Sequence, residues 1–406
     1  MGMKKLEVEI KDLLKKKTEL FESNENKRRI ELWGGSFSPD VYSPGEIAPI
    51  PLEKRTEKKI PITADWDRMQ WSKFLRFDIE KYYTDPLAYL KGTLLIDLFR
   101  FQHVKDDTPL LKTVPIYLGT AFEPSLFGVP VIYSSDHEPL YTSEGAVIKQ
   151  YEDLDKLQIP DFQKNGLMPL AHHFYDEISA LIPADYVVIF PIWGRSPFGV
   201  ACAVRGMENL LVDMVINGDF VHRLMRLLND SRIAYAKYRK NIMKNPGDDS
   251  TCWNDECTVP IISPKNYEEF CFPYENELCE FFNGLKWWHS CGSKTELITT
   301  MKKFSSPIGF MDLNTWNDDL QKAIQQINGT IPFFIRPSRD DINERNESVI
   351  KNNLNGLCAM CAGENFGFRI DGFQPSNPTQ DDYETLNRYL SVAYDVAYQY
   401  KKIERY

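Results

Sequence analysis

The chain has 406 residues, of which 43% are hydrophobic and 13% aromatic, and its formal net charge is −10. This length and composition allow a sizeable buried core, whereas the negative charge argues against a nucleic-acid-binding surface. Because no apolar run approaches about eighteen residues and the amino terminus is charged from residue 4, we expect no membrane span, no signal peptide and a cytoplasmic location.

Residues 1–64 are predicted to form an N-terminal extension of a larger domain that comprises residues 65–406. Within 3–33, apolar residues recur at helical spacing among dense charge, which predicts an amphipathic helix. From 38 to 61 the chain carries five prolines and few periodic apolar positions, which predicts an extended connection.

The rest of the chain alternates between strand and helix patterns. Short apolar runs predict strands at 113–119, 186–194, 250–254, 285–291, 307–313, 330–336 and 357–363. Helical patterns predict helices at 205–216, 219–243, 263–282 (with a kink at Pro273), 294–304, 317–327, after a Ser338 cap, and at 379–402. About six such units follow residue 185, so an α/β fold that closes as a (β/α)₈ TIM barrel is favoured over an open sheet. A Gly-rich phosphate-binding motif does not follow any predicted strand, which weakens the nucleotide-binding alternative.

The segment "KWWHSCGS" (286–293) places a histidine and a cysteine at the end of a predicted strand. Active sites of such barrels lie at the carboxyl ends of the strands, and residues two apart in a strand point to the same face. His289 and Cys291 are therefore candidate ligands of one metal ion. The alternative interpretation is that both are ordinary core residues of an apolar strand.

A second thiol is expected from the predicted strand 357–363. Cys361 would complete a set of three nitrogen and sulfur ligands, which with an open fourth position suits a catalytic zinc ion. Cys358 and Cys361 also form a C-x-x-C pair that suggests a redox function. Residues three apart in a strand face opposite sides, so only one of the two should face the site.

Two further stretches carry polar residues at predicted strand ends. Asn254, Asp255 and Glu256 could bind a metal, accept a proton or hold a substrate amine, although such a group is also typical of a solvated turn. Arg195 follows an apolar strand and could bind a carboxylate in bidentate fashion or form a structural ion pair.

The sequence resembles the uroporphyrinogen decarboxylase superfamily, and more narrowly its corrinoid-dependent methyltransferase branch. The resemblance covers roughly residues 65–402 in general layout and is specific over Asn254–Ser293, with "GLMPLAHHFYDE" and "GRSPFGVACAVRGMENLLVDMV" upstream. It implies a (β/α)₈ barrel. An Arg-rich amino-terminal motif typical of the decarboxylases is not found at 20–75, which puts porphyrinogen decarboxylation in doubt.

The methyltransferase branch implies zinc held by His289, Cys291 and Cys361. It also implies a small-molecule thiol that accepts the methyl group and a corrinoid carried by a partner protein. Asp255 or Glu256 would support the substrate or the fourth metal position, and Asn254 and Arg195 would bind substrate. The family's last cysteine commonly sits in Gly-Cys-Gly, whereas this chain has Met360-Cys361-Ala362, which leaves Cys358 as an alternative ligand.

Two other functions remain open at this point. One is a decarboxylase or another lyase that holds a carboxylated substrate through Arg195, and through Arg336 or Arg369. The other is a barrel that binds a ligand without turnover.

Overall fold

The computed structural model describes residues 2–34, 49, 51, 54–55, 57–243 and 250–400. Its strands are short and follow one another at intervals filled by helices. They are β1 (Ile62–Ala64), β2 (Thr113–Pro115), β3 (Val187–Ile189), β4 (Cys252–Trp253), β5 (Leu285–His289), β6 (Ile308–Asn314), β7 (Phe333–Arg336) and β8 (Phe366–Ile370).

The helices precede, separate and follow these strands. They are α1 (Gly2–Phe21), α2 (Asn24–Leu32), α3 (Arg68–Leu75), α4 (Ile79–Thr84), α5 (Pro86–His103), α6 (Phe122–Ser125), α7 (Met168–Leu181), α8 (Pro197–Arg205), α9 (Met207–Ile216), α10 (Gly218–Ile242), α11 (Pro264–Asn266), α12 (Phe272–Phe282), α13 (Ile298–Met301), α14 (Leu320–Ile327), α15 (Arg339–Asn343), α16 (Glu347–Met360) and α17 (Gln380–Gln399). None of the helices within the described ranges combines the length and hydropathy needed to cross a membrane.

The strands close into a parallel barrel. Six form one sheet in the order β1-β8-β7-β6-β5-β4, and β2 pairs with β3. The chain after β3 joins β4 through hydrogen bonds from Trp253 N to Gly194 O and from Ser196 N to Trp253 O, both 2.8 Å. On the other side, Asp107 N donates to Ile62 O of β1 (2.8 Å). These contacts confirm the predicted (β/α)₈ barrel.

The lower part of the barrel interior is an aromatic layer. It consists of Trp287, Phe310 and Phe334 from the strands, together with Leu32 and Trp33 from the N-terminal segment, all buried. Phe310 precedes Asp312 on the same face of β6, so this layer lies nearer the amino ends of the strands. The N-terminal segment therefore closes the bottom of the barrel with Trp33.

The N-terminal helices are fastened to the barrel by buried polar contacts. Lys17 forms an ion pair with Asp97 (2.6 Å), and the Asn26 side chain exchanges two hydrogen bonds with the Leu110 backbone. The Trp33 indole N–H donates to Asp107 O (2.9 Å). β1 begins at Ile62 and α2 contributes to the barrel core, so parts of the predicted extension 1–64 pack into the barrel. The boundary at 64/65 itself stays a prediction.

Several predicted helices differ in detail from the observed ones. The helix expected over 3–33 is two helices, because Ser23 caps α2 by accepting a hydrogen bond from Asn26 N. The helix predicted over 263–282 contains a π-helical turn at Tyr267–Cys271, just before Pro273. Proline removes a helix donor and crowds the preceding turn, so this is the expected site of a kink.

One prediction is wrong, one helix was missed and one prediction is largely untested. Residues 357–363 are the end of α16 and a turn instead of a strand, and helix α8, which follows the predicted strand 186–194, was not predicted. The last strand is Phe366–Ile370. The predicted extended connection over 38–61 falls mostly outside the described residues.

Replacing Trp33 with alanine tests whether the N-terminal segment belongs to the barrel core. We expect Trp33→Ala to lower the free energy of unfolding by about 3–5 kcal/mol, because it leaves a large cavity under the barrel. Val8→Ala, at an exposed position of α1, is the control and should change it by less than about 0.5 kcal/mol. Chemical denaturation measures both; equal, small effects would show that Trp33 is not a core residue.

Candidate metal centre

His289 and Cys291 meet at the carboxyl end of β5. His289 is the last residue of the strand and points inward, on the same face as Trp287 two residues before it. Its Nε2 lies 3.3 Å from the Cys291 Sγ. His289 is 8% exposed, whereas Cys291 is exposed at the mouth of the barrel. The two side chains therefore present their donor atoms to the same space, as their spacing predicts.

Asp255 supplies a third donor atom from the neighbouring strand. It follows β4 by two residues, so it repeats the inward orientation of Trp253. Its Oδ1 lies 3.3 Å from His289 Nε2 and accepts a hydrogen bond from Cys291 N (3.2 Å). One atom from each of the three side chains lies within 4.8 Å of the others.

The spacing of these donors fits a small tetrahedral ion. Zinc bonds of about 2.0–2.3 Å at tetrahedral angles hold neighbouring ligand atoms roughly 3.3–3.8 Å apart. The two distances from His289 Nε2, to Cys291 Sγ and to Asp255 Oδ1, are both 3.3 Å. Imidazole, thiolate and carboxylate are ligands that zinc accepts. This set fits a zinc ion that keeps its fourth position open toward the barrel mouth.

Asp312 orients the imidazole from the other side. Its Oδ1 lies 2.8 Å from His289 Nδ1 and accepts a hydrogen bond from the Trp287 indole (3.1 Å), while Arg336 donates to its second oxygen (3.4 Å). A carboxylate on Nδ1 favours the tautomer that leaves the Nε2 lone pair available to a metal.

The carboxylates also act on the imidazole. Burial by itself would lower the pKa of His289, but the charges of Asp312 and Cys291 and the hydrogen bonds with Asp255 and Asp312 raise that pKa well above its usual value. Burial by itself would raise the pKa of Asp312, but the charges of His289 and Arg336 hold that pKa far below its usual range. Burial by itself would also raise the pKa of Asp255, but its hydrogen bond with His289 and the charge of His289 lower that pKa strongly. Both carboxyl groups are therefore ionised beside a protonated imidazole, and a metal ion bound at Nε2 would displace the proton there.

The backbone that carries Cys291 is held from β6. Asn314 Nδ2 donates to Cys291 O (3.2 Å), and the fully buried Lys294 pairs with Asp318 (2.8 Å). A Cβ on Gly292 would lie 1.8 Å from Thr258 Oγ1, so only glycine fits there. The thiol therefore sits on a backbone segment with little freedom to move.

Glu256 and Arg195 form an ion pair beside this cluster. The guanidinium group contacts the Glu256 carboxylate and lies over the Tyr141 ring, 5.6 Å from its centroid. Of the two interpretations that the sequence leaves open for Arg195, the structure shows the ion pair. The prediction that Arg195 binds substrate is not tested.

Asn254 does not reach the barrel mouth, which corrects its predicted place in a substrate site. The side chain is fully buried, and its amide donates to Glu275 of α12 (2.8 Å). Asp255 points inward, so Asn254 beside it points outward toward the surrounding helices. Its side chain is enclosed by the barrel wall.

Cys361 is also far from the cluster, and its predicted position at a strand end is wrong. It caps the carboxyl end of α16, fully buried, and precedes β8. It thus lies at the amino end of the barrel, whereas His289 and Cys291 lie at the carboxyl ends of the strands. Cys358, the alternative ligand, is buried within the same helix.

Asp312 is the main residue of the site that the sequence did not single out. It stands in the predicted strand "PIGFMDL", where an acid interrupts an apolar run. A carboxylate inside an otherwise apolar barrel strand is costly unless it is paired, so it was a signal for a polar partner. The sequence does not show which strand carries that partner.

These observations define the class of protein, a (β/α)₈ barrel with a candidate metal centre at the carboxyl ends of its strands. The sequence matches the family model described as Uroporphyrinogen decarboxylase (URO-D) over residues 111–356. The chain belongs to this family, which confirms the resemblance to that superfamily. The match includes every residue of the cluster and Asp312.

The fold is shared with solved structures. A methyltransferase from Methanosarcina mazei superimposes with a TM-score of 0.62 at 13% sequence identity, over 89% of this chain and 99% of that chain. No match to this chain was found among curated protein sequences.

The third ligand can be identified by substitution. We expect Asp255→Ala and Cys291→Ala to lose most of the bound zinc, whereas Cys361→Ala, remote from the cluster, keeps it. Metal analysis of protein purified without chelator measures this, with circular dichroism to confirm folding. A folded Cys361→Ala variant without zinc, or an Asp255→Ala variant with full zinc, would contradict this ligand set.

The role of Asp312 has its own test. We expect Asp312→Asn to weaken zinc binding by about 10- to 100-fold, because the neutral amide no longer fixes the imidazole tautomer. Competition with a chromophoric chelator gives the affinity. Asp319→Asn is the matched control, since Asp319 caps α14 and does not contact the cluster; an equal loss in both variants would contradict a specific role.

Proposed function

We propose that the protein is a zinc-dependent methyltransferase that moves a methyl group between a corrinoid on a partner protein and a small-molecule acceptor, a thiol. The observation that carries the proposal is the convergence of Asp255, His289 and Cys291 donor atoms within 4.8 Å at the mouth of a barrel of this family. The similar fold of a protein named as a methyltransferase adds support.

The three residues would hold zinc through one carboxylate, one imidazole and one thiolate. Zinc supplies one chemical function here, because a thiol coordinated to it is deprotonated near neutral pH and a thiolate is the nucleophile. The partly exposed Asp255 and the exposed Cys291 leave the cluster accessible to a substrate from the mouth.

The residues around the cluster have positioning roles. Asp312 holds the His289 ring so that Nε2 faces the mouth. Glu256 restrains the loop that carries Asp255, because its carboxylate is held in an ion pair with Arg195. The indole of Trp287, 4.9 Å from the imidazole between ring centroids, closes the site from below and excludes water on that side. Of the two acids expected to be catalytic, Asp255 takes the metal position and Glu256 orients the loop.

A corrinoid-binding protein is the implied partner. Methyl transfer between cobalt and sulfur requires in-line approach of the two atoms, so the corrinoid face must reach the barrel mouth. A cytoplasmic location suits this chemistry, because all eight cysteines are free thiols and a reducing compartment keeps them so.

A decarboxylase, as the name of the family model suggests, is the second candidate. It would need cationic groups available to substrate carboxylates. The three arginines considered for this role are each ion-paired: Arg195 with Glu256, and Arg336 and Arg369 with Asp371. Because these arginines are engaged in ion pairs, the methyltransferase is favoured over the decarboxylase.

The test follows methylcobalamin spectroscopically in the presence of the zinc-loaded protein and a panel of thiols. We expect thiol-dependent demethylation that His289→Ala reduces to background, because this variant removes the central ligand. His173→Ala, at an exposed position of α7, is the control and should keep full activity.

Two results would contradict the proposal. Demethylation that is unchanged in His289→Ala would remove zinc from the mechanism. A lack of reaction with every thiol, together with release of carbon dioxide from a carboxylated substrate, would favour the decarboxylase.

A further inference from the structure

A second group of polar side chains lies at the barrel mouth near β1 and β2, across the barrel from the His289 cluster. Asp67 follows β1 on the inward face, two residues after Asp65. It stands at the N-cap position of α3 but makes no capping hydrogen bond with its side chain, and it is exposed. Its carboxylate is therefore not used to cap its own helix.

Glu138 reaches the same region from the segment that follows β2. Its two oxygens accept hydrogen bonds from the hydroxyls of Tyr83 and Tyr117, each 3.3 Å long. Tyr83 belongs to α4 and is buried, and Tyr117 follows β2. Two tyrosines from separate elements thus fix the position of one half-buried carboxylate.

These two carboxylates have no counter-ion among the described residues. Arginines on this side are engaged by other carboxylates: Arg336 and Arg369 share Asp371, and Arg100 pairs with Asp65 (3.1 Å). Arg68, beside Asp67 in sequence, pairs with Asp65 (3.3 Å). The charges of Asp67 and Glu138 are therefore opposed only at longer range, by Arg68 and, for Asp67, also by Arg336.

The surroundings keep the two groups difficult to ionise. Although the Asp67 side chain is exposed at the mouth, the protein packed around it and the charges of Asp371 and Asp65 raise its pKa to about 6, against the opposing effect of Arg68 and Arg336. Burial and the charge of Asp67 raise the pKa of Glu138 to about 7, opposed by the hydrogen bonds from Tyr117 and Tyr83 and by Arg68. A bound cation would favour the ionised form of both carboxyl groups.

An aromatic wall joins this region to the metal cluster. The rings of Tyr83 and Tyr117 lie 6.5 Å apart, Tyr117 and Trp253 6.4 Å, and Trp253 and Trp287 6.3 Å, between centroids. Trp287 in turn contacts His289. Faces of tyrosine and tryptophan attract organic cations, and methylated ammonium groups in particular.

An unsatisfied donor points independently to a polar ligand. The buried indole Nε1 of Trp253 has no hydrogen-bond partner within the described part of the chain. Such groups are rare in folded proteins, and each calls for an acceptor such as a ligand or a water molecule. A ligand that carries both a cation and an oxygen acceptor would satisfy Trp253 together with the two carboxylates.

We propose that Asp67, Glu138, Tyr83, Tyr117 and Trp253 form a subsite for the organic ammonium group of a small molecule. On the proposed function, on which this assignment of the ligand rests, that molecule is the substrate of methyl transfer, and its reacting group faces the His289 cluster while its ammonium group binds across the mouth. The binding of ammonium ions itself does not depend on zinc.

Isothermal titration of the purified, metal-containing protein tests the subsite. The probes are choline, tetramethylammonium and methylammonium, with 3,3-dimethylbutan-1-ol as the uncharged molecule of the same shape as choline. We expect at least one ammonium ion to bind, and choline to bind at least about tenfold more tightly than the alcohol. Because the ionised carboxylates bind the cation, its affinity should rise from about pH 5 to about pH 8.

Variants that replace each carboxylate by an amide of the same size test whether the ammonium ion binds at these two residues. Asp67→Asn and Glu138→Gln should each weaken the binding of the ammonium ion by at least about tenfold. Asp136→Asn is the matched control, since Asp136 is an exposed acid of the same segment as Glu138, and it should bind as the unmodified protein does. Thermal unfolding of each variant verifies that the fold is intact.

The possible failures are distinguishable. No binding of any ammonium ion, equal binding of choline and the alcohol, or unchanged binding in both carboxylate variants would overturn the subsite. His289→Ala should lose zinc yet still bind the ammonium ion. If methyl transfer fails while this binding persists, the proposed function is wrong and the subsite stands.

Discussion

Every second side chain of the barrel strands faces the interior, and these side chains form two successive layers with different physical properties. Toward the amino ends, Trp287, Phe310 and Phe334 pack with Trp33 and exclude water. One step further along β5 and β6, the same face carries His289 and Asp312. Charged groups at this depth are tolerable only when they neutralise one another, because their hydration is lost. The hydrogen bond between these two side chains is a direct result of that constraint.

The lower layer depends on a part of the chain outside the family match. The match begins at residue 111, whereas Trp33 and β1 precede it. Trp33 fills the space under Phe334, with ring centroids 6.2 Å apart, and its indole is anchored on the Asp107 backbone. Packing in protein interiors is dense, so a floor of this kind restrains the side chains above it. The N-terminal segment thus contributes to the geometry of a site that it does not touch.

The sequence predicts the barrel and names all three residues of the cluster as candidate metal ligands, but it does not single out Asp312. Strands and helices have different periods of hydrophobic residues, which a short window of sequence shows. The i, i+2 spacing that places His289 and Cys291 on one face is visible in the same way. Asp312 comes from the adjacent strand, 23 residues further along, and strand register is not written in local sequence. Residues 357–363 were misassigned because a short apolar run without β-branched residues suits a helix end as well as a strand. With that error, Cys361 was placed at the wrong end of the barrel.

Acidic side chains lie on both sides of the barrel mouth, at the His289 cluster and at Asp67 and Glu138. On the β5 side, carboxylate and thiol donors converge on one point, which is stable only with a cation bound there or with an added proton. On the β1 side, the charge of Asp67 raises the pKa of Glu138, and Arg68 only partly opposes this effect. A metal ion would satisfy the first group but leave the second unchanged. The mouth therefore has two separate groups of acidic side chains that a cation would stabilise, and a wall of aromatic rings lies between them. A ligand that binds at Asp67 and Glu138 must extend along that wall to reach the His289 cluster.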